Sequence, residues 1–83
     1  MNLKDKIDNK GINKGDRYKH FKGGIVEIDC LAIDTDNYYR RLVIYHYIEG
    51  GDENLHKNRI WARSLDEFTG YKIPEIKRFT KIK

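Results

Sequence analysis

The chain has little to staple it and nothing to anchor it. It carries one cysteine, Cys30, so no disulfide can form within it, and a lone thiol fits a reducing compartment. No stretch approaches the ~18 consecutive apolar residues of a membrane-spanning helix. The N-terminus alternates Lys and Asp around isolated Leu3, Ile7 and Ile12, whereas a secretion signal needs a continuous apolar stretch of about 7–15 residues. A cytoplasmic protein with no membrane partner is expected. Also missing are the spacings that carry common chemistry. The three histidines, His20, His46 and His56, form no close pair with one another or with Cys30, so no metal is expected. Cys30 falls within an apolar strand pattern, where a thiol is usually inert. Lys22-Gly23-Gly24 leads into a strand rather than a helix, so it lacks the context of a phosphate-cradling loop. No nucleophile elbow or acid–base pair stands out. The chain is expected to be no enzyme, with no catalytic residues and no cofactor.

What is present is charge and aromatic side chains. Charged residues make up 36% of the 83, and the apolar share is 39%. One Trp, six Tyr and three Phe argue against disorder and must supply much of the thin core that so short a chain can bury. The length suits one domain. Lys, Ile, Asn and Tyr, whose codons are A/T-rich, are abundant, which suggests a bacterial or phage genome; a phage protein would work in its host's cytoplasm. The charge is unevenly spread. Residues 1–22 hold seven basic and three acidic groups, residues 23–70 five and nine, and residues 71–83 five and one. If the two basic ends fold onto one side, they form a patch that attracts phosphates; otherwise they serve only solubility.

Residues 1–14 read as a leader, with Asn2 able to cap a short helix that carries Leu3 and Ile7 and ends at Gly11. The folded domain is placed at residues 15–83. Residues 25–34 alternate as a strand with Val26, Ile28, Cys30 and Ala32 on one face. Thr35-Asp36-Asn37 reads as a turn. Residues 40–49 form a second strand, with Leu42, Ile44, His46 and Ile48 on one face and Val43, Tyr45 and Tyr47 on the other; the two should pair as a hairpin. Residues 50–58 read as an exposed polar loop, followed by a short strand over 60–65. Ser64-Leu65-Asp66-Glu67 matches a capping box and starts one helical turn near residues 65–69. Past Pro74, residues 76–82 form a last strand with Ile76, Thr80 and Ile82 on one face. The fold class is all-β: a small barrel or roll of four to five short strands with one helical turn and a short N-terminal leader or helix.

The order of motifs resembles the DUF1653 family of small bacterial and phage domains. Tyr18-Lys-His-Phe-Lys-Gly-Gly24 resembles its opening motif, Val43-Ile-Tyr45 its V-V-Y strand, Trp61-Ala-Arg63-Ser-Leu65-Asp-Glu-Phe68 its W-x-R-P-L-x-x-F segment and Arg78-Phe79 its closing R-F pair. The resemblance covers about residues 15–82 and implies an SH3-like barrel. It carries over no catalytic residue, because the family is one of unknown function. The chain departs from the pattern at Val26, where the family has Tyr, at Ser64, where it has Pro, and in the long charged loop over residues 50–59, a place where a private function could sit.

Trp61 and Arg63 lie at alternate positions of one strand and so share a face. Trp stacks bases, Arg pairs phosphate bidentately, and both residue types dominate binding hot spots. Tyr45 and Tyr47 extend the aromatic surface, and His20, Lys22, Arg41 and Arg78 add donors and charge. The opposing account makes Trp61 a core anchor, ties Arg63 to Glu67 and gives His20 a backbone hydrogen bond. Two functions follow. One is a non-enzymatic binding module for a phosphate-bearing ligand, either nucleic acid or a nucleotide held by a homodimer or small homo-oligomer. The other is an SH3-like protein–protein interaction domain.

Overall fold

A computed structural model of the chain describes residues 10–82. Among them, the elements run β1 (Arg17–His20), β2 (Ile25–Asp34), β3 (Asn37–Glu49), β4 (Ile60–Ser64), α1 (Leu65–Phe68), β5 (Tyr71–Ile73), β6 (Ile76–Lys77) and β7 (Phe79–Ile82). The domain is all-β apart from the one helical turn. Five strands form an antiparallel sheet in the order β4-β3-β2-β1-β7, and β5 and β6 make a separate ribbon. Strand β1 pairs with β7, which brings the two basic ends of the described chain side by side. Part of their charge is compensated: Arg17 reaches Glu27 at 3.2 Å and Lys81 reaches Asp16 at 3.3 Å. Among the described residues no helix is long and apolar enough to cross a membrane.

Alternation along β3 places Val43 and Tyr45 in the core with Tyr18, Val26, Ile28, Leu65, Phe68 and Phe79. The strands β4 and β7 end the sheet and are not hydrogen-bonded to each other. Aromatic rings join them instead. Phe68, in the turn directly after β4, stacks on Phe79, the first residue of β7, with centroids 4.1 Å apart and planes 9° from parallel. Tyr18 and Tyr45 pack their rings against Phe68 at 5.1 and 5.5 Å. Offset stacks and edge-to-face contacts of this kind add to the burial of area itself. The turn α1 holds Phe68 in place because its N-terminus is capped. Ser64 Oγ accepts from the Glu67 N–H at 3.2 Å and donates to the Glu67 carboxylate at 3.0 Å. Glu67 thus reaches back to the hydroxyl rather than to the backbone, a variant of the box expected from sequence.

Four expectations need correcting. Asp29 is an extra residue in β2: Ile28 pairs with Tyr45 but Cys30 with Ile44. This bulge shifts the alternation by one, so Leu31 packs against the core while Cys30 is exposed. The expected strand over 76–82 breaks at Arg78, whose N–H donates to Gly70 O at 3.0 Å. The buried residue beyond the break is Phe79, while Ile76 is 42% exposed. The hairpin strand begins at Asn37 rather than Arg40, because only Thr35 and Asp36 form the turn. Ile12, read as part of the leader, is 1% exposed in the core, and Lys10 pairs with Asp66 at 2.9 Å. The capped helix at Asn2, Leu3 and Ile7 lies outside the described residues.

Candidate functional site

The same alternation that buries Tyr45 points Tyr47 past the edge of the core. Trp61 and Arg63 follow it on the neighbouring strand, because Tyr45 pairs with Trp61 and Val43 with Arg63 and directly opposed residues share a face. Here the inner face opens into a cleft of about 660 Å³. The turn between β1 and β2 supplies one wall through His20, Lys22, Gly23 and Gly24, and the loop between β3 and β4 supplies another through Gly51, Asp52, Leu55 and His56.

That loop is held together by its own bonds. The N–H groups of Leu55 and His56 donate to Asp52 O at 3.1 and 2.6 Å. Asp52 N–H donates to His56 Nδ1 at 2.8 Å, and Asp52 Oδ1 accepts from Asn54 N–H at 2.8 Å. The His56 ring is thereby laid on Tyr47, with centroids 4.1 Å apart and planes at 22°, and meets Trp61 edge-on at 5.2 Å. The two turns that wall the cleft touch through glycine. Gly24 and Gly50 come so close that a Cβ on Gly50 would stand 2.9 Å from Gly24 Cα.

The charged residues that line the cleft are mostly basic, with Lys22 and Arg63 against Asp52. Lys22 N–H donates to His20 Nδ1 at 3.1 Å. A backbone N–H can only donate, so Nδ1 of both His20 and His56 is the acceptor, and the proton of each neutral ring is on Nε2. Trp61 Nε1 and Arg63 Nε are buried without a hydrogen-bond partner, as is Arg41 Nη1 away from the cleft, an uncommon and costly arrangement. Arg63 Nη1 lies 3.7 Å from Glu67 Oε2, an i,i+4 ion pair in line with the account that ties Arg63 to Glu67, while Arg63 also lines the cleft. The charges that shift His20 are all positive. Burial lowers its pKa first, and Arg63, Lys22, His56 and Arg78 lower it further. Burial raises the Tyr47 hydroxyl, as does Tyr45, while Arg63 opposes the rise.

The His20 shift gives a test of this charge cluster. The unfolded chain takes up the proton near the ordinary value of 6.5, and the folded protein takes it up only at lower pH. The unfolded state therefore binds more protons in this window. His20 contributes stability that is complete above about pH 6.5 and is lost as the pH falls through the lower folded value. Thermal melts from pH 8 to 5 are expected to fall less steeply below pH 6.5 for His20→Gln than for the wild type; parallel curves would refute the shift.

Of the residues singled out in the sequence, His20, Lys22, Tyr47, Trp61 and Arg63 line one cleft. Tyr45 lines it too but is only 3% exposed, so it is chiefly core. Trp61 is half-buried and packs against the core while facing the cleft. Arg78 Nη1 donates to Glu67 O at 3.3 Å, and its charge reaches His20 without lining the cleft. Arg41 stands opposite Ile33 at the far end of β3, away from the cleft. His20 uses its backbone contact as an acceptor from an N–H, not as a donor to a carbonyl. The sequence pattern missed Gly51, Asp52, Leu55 and His56 as cleft residues. Their signal was the length of the loop and the Gly50-Gly51 pair that opens it. Among the described residues no group of three or more His, Cys, Asp or Glu is placed to hold a metal ion.

No curated protein and no solved structure matches the chain. The sequence profile described as "Protein of unknown function (DUF1653)" matches residues 16–81. With nearly the whole described domain inside that match, the chain belongs to the DUF1653 family.

Proposed function

We propose that the chain is a non-catalytic binding module whose cleft takes a phosphate-bearing ligand, nucleic acid or nucleotide. One observation carries this: His20, Lys22 and Arg63 bring three basic side chains to one cleft whose wall also holds Tyr47 and Trp61. An anion with several acceptor oxygens satisfies such donors, and hydrogen bonds to an ionised acceptor are about twice as strong as neutral ones.

Trp61 is the single tryptophan, so its fluorescence reports on the cleft directly. Titration with nucleoside phosphates and with a single-stranded oligonucleotide is expected to change it. Arg63→Gln is expected to weaken binding about tenfold, in line with loss of one charge-assisted contact. Unchanged affinity in that variant would remove the proposal. Salt separates the two forms of ligand, since a nucleic acid loses affinity steeply as counterions compete.

A protein-interaction domain is the alternative, and Ile60 favours it. It is 74% exposed on β4, an end strand of the sheet beside the cleft. Such an edge invites a partner strand or a second copy of the chain. Binding at that edge would depend weakly on salt and would be indifferent to Arg63→Gln.

A further inference from the structure

We infer that the cleft is built for a free nucleoside phosphate rather than a strand: phosphate on the side of Arg63, Lys22 and His20, heterocycle against His56 and Trp61, and a ligand N–H or O–H toward Asp52. This rests on the phosphate-binding proposal and narrows it. Size is the first argument. A cleft of about 660 Å³ lies in the range that takes one small molecule, about 300–1,000 Å³.

Polarity is the second. His20, Lys22 and Arg63 line the cleft together, and the charges that perturb His20 beyond its burial are all basic, so this side of the cleft suits an anion. Asp52 is the one carboxylate in the lining. It sits in the turn that positions His56 through the 2.8 Å bond from its N–H to Nδ1. A carboxylate there repels phosphate and accepts from an amine or hydroxyl. With one Asp52 oxygen accepting from Asn54 N–H at 2.8 Å, the other suits a ligand that is anionic at one end and a donor at the other.

The aromatic wall is the third. Tyr47 already covers one face of the His56 imidazole at 4.1 Å. The stacked pair and the Trp61 ring, set edge-on to it at 60°, present flat apolar surface beside the donors. A planar base satisfies such a surface with little regard to its identity.

A strand, by contrast, gains affinity from further cations placed along its phosphates. Two of the cations nearest to that path on β1 and β7 are engaged, Arg17 by Glu27 and Lys81 by Asp16, which weakens the pull on a strand along this side.

The test is Trp61 fluorescence and calorimetry on the full chain at one fixed salt concentration. The probes are the four ribonucleoside 5′-monophosphates, ribose 5-phosphate, inorganic phosphate and a twelve-nucleotide single strand. At least one monophosphate is expected to bind about tenfold or more tightly than ribose 5-phosphate, within the range that base stacking provides. His56→Ala is expected to bring that ratio toward one. The strand is expected to bind no more tightly than the best monophosphate. Ribose 5-phosphate matching every nucleotide would overturn the base contact and leave phosphate binding standing. A strand that outcompetes every mononucleotide would overturn the free-nucleotide inference in favour of nucleic acid. Binding of none of the phosphates would remove the phosphate proposal itself. The wild-type ratios decide the matter even if His56→Ala fails to fold.

Discussion

Phe79→Ala should cost about 3–5 kcal/mol of folding stability, the usual range for removing a buried phenylalanine ring. A domain of 83 residues has only about 4–12 kcal/mol to lose, at roughly 0.05–0.15 kcal/mol per residue. The variant should therefore lose between about a quarter and all of the domain's stability. The site cannot collapse around the gap. Phe79 is 1% exposed, its ring is stacked on Phe68 at 4.1 Å, and the edges of Tyr45 and His20 meet it at 5.6 and 5.0 Å. It is also the contact through which the two ends of the sheet meet without hydrogen bonds. Phe79→Leu, which keeps most of the volume, should lose markedly less. Phe21→Ala, at a half-buried ring on the surface turn, should lose least. Urea denaturation followed by circular dichroism orders the three. A loss below about 1 kcal/mol for Phe79→Ala, far under the ordinary range, would show that the sheet ends are held by something other than this stack.

The part of the fold that could be read from sequence is the part governed by local periodicity. Alternation over β3 identified Val43, Tyr45 and Tyr47 as one face, and that face is the inner one. The capping box located α1, because a cap is a contact between residues three apart. The errors arise where a distant partner decides. The bulge at Asp29 has no signature along the chain. It is fixed across the sheet, where the Asp29 carboxylate oxygens lie 2.9 and 3.0 Å from His46 Nδ1. The break at Arg78 depends on Gly70 and Phe21, which bond to its N–H and its carbonyl. Burial of Ile12 depends on core residues that follow it in sequence, and one isolated apolar residue between Gly11 and Asn13 gives no period to read.

The cleft shows the same division. Trp61 and Arg63 were legible as a pair because two positions along a strand share a face. His20 and Lys22 were legible through the Lys22-Gly23-Gly24 turn. His56 was not, because sequence spacing weighed it only as a metal ligand. Its role comes from a tertiary contact, the stack on Tyr47, and from a loop that bends back to Asp52 through backbone bonds. Arg41 was assigned to the site because it is basic and near the aromatic strand. The strand is long enough that Arg41 ends far from the cleft, opposite Ile33.

Gly50→Ala should both destabilise the domain and abolish the cleft, and Gly15→Ala shows how much of that is backbone strain alone. Both glycines have positive φ, 67° and 88°, a region that costs an L-residue roughly 1–2 kcal/mol. At Gly15 a Cβ meets nothing within 4 Å, so strain is the whole cost. At Gly50 the added carbon would stand 2.9 Å from Gly24 Cα and 3.2 Å from Gly24 N. Those are backbone atoms, so no rotamer change relieves the contact, and the loop must move away from the β1–β2 turn. That movement separates the wall carrying Asp52 and His56 from the wall carrying His20 and Lys22. The expected result is a stability loss for Gly50→Ala of about 2–4 kcal/mol, strain plus overpacking, and a loss of ligand-induced Trp61 fluorescence change. Gly15→Ala should keep the full titration at a smaller stability cost. Equal melting behaviour in the two variants, with the titration intact in both, would mean that the glycine contact does not set the distance between the cleft walls.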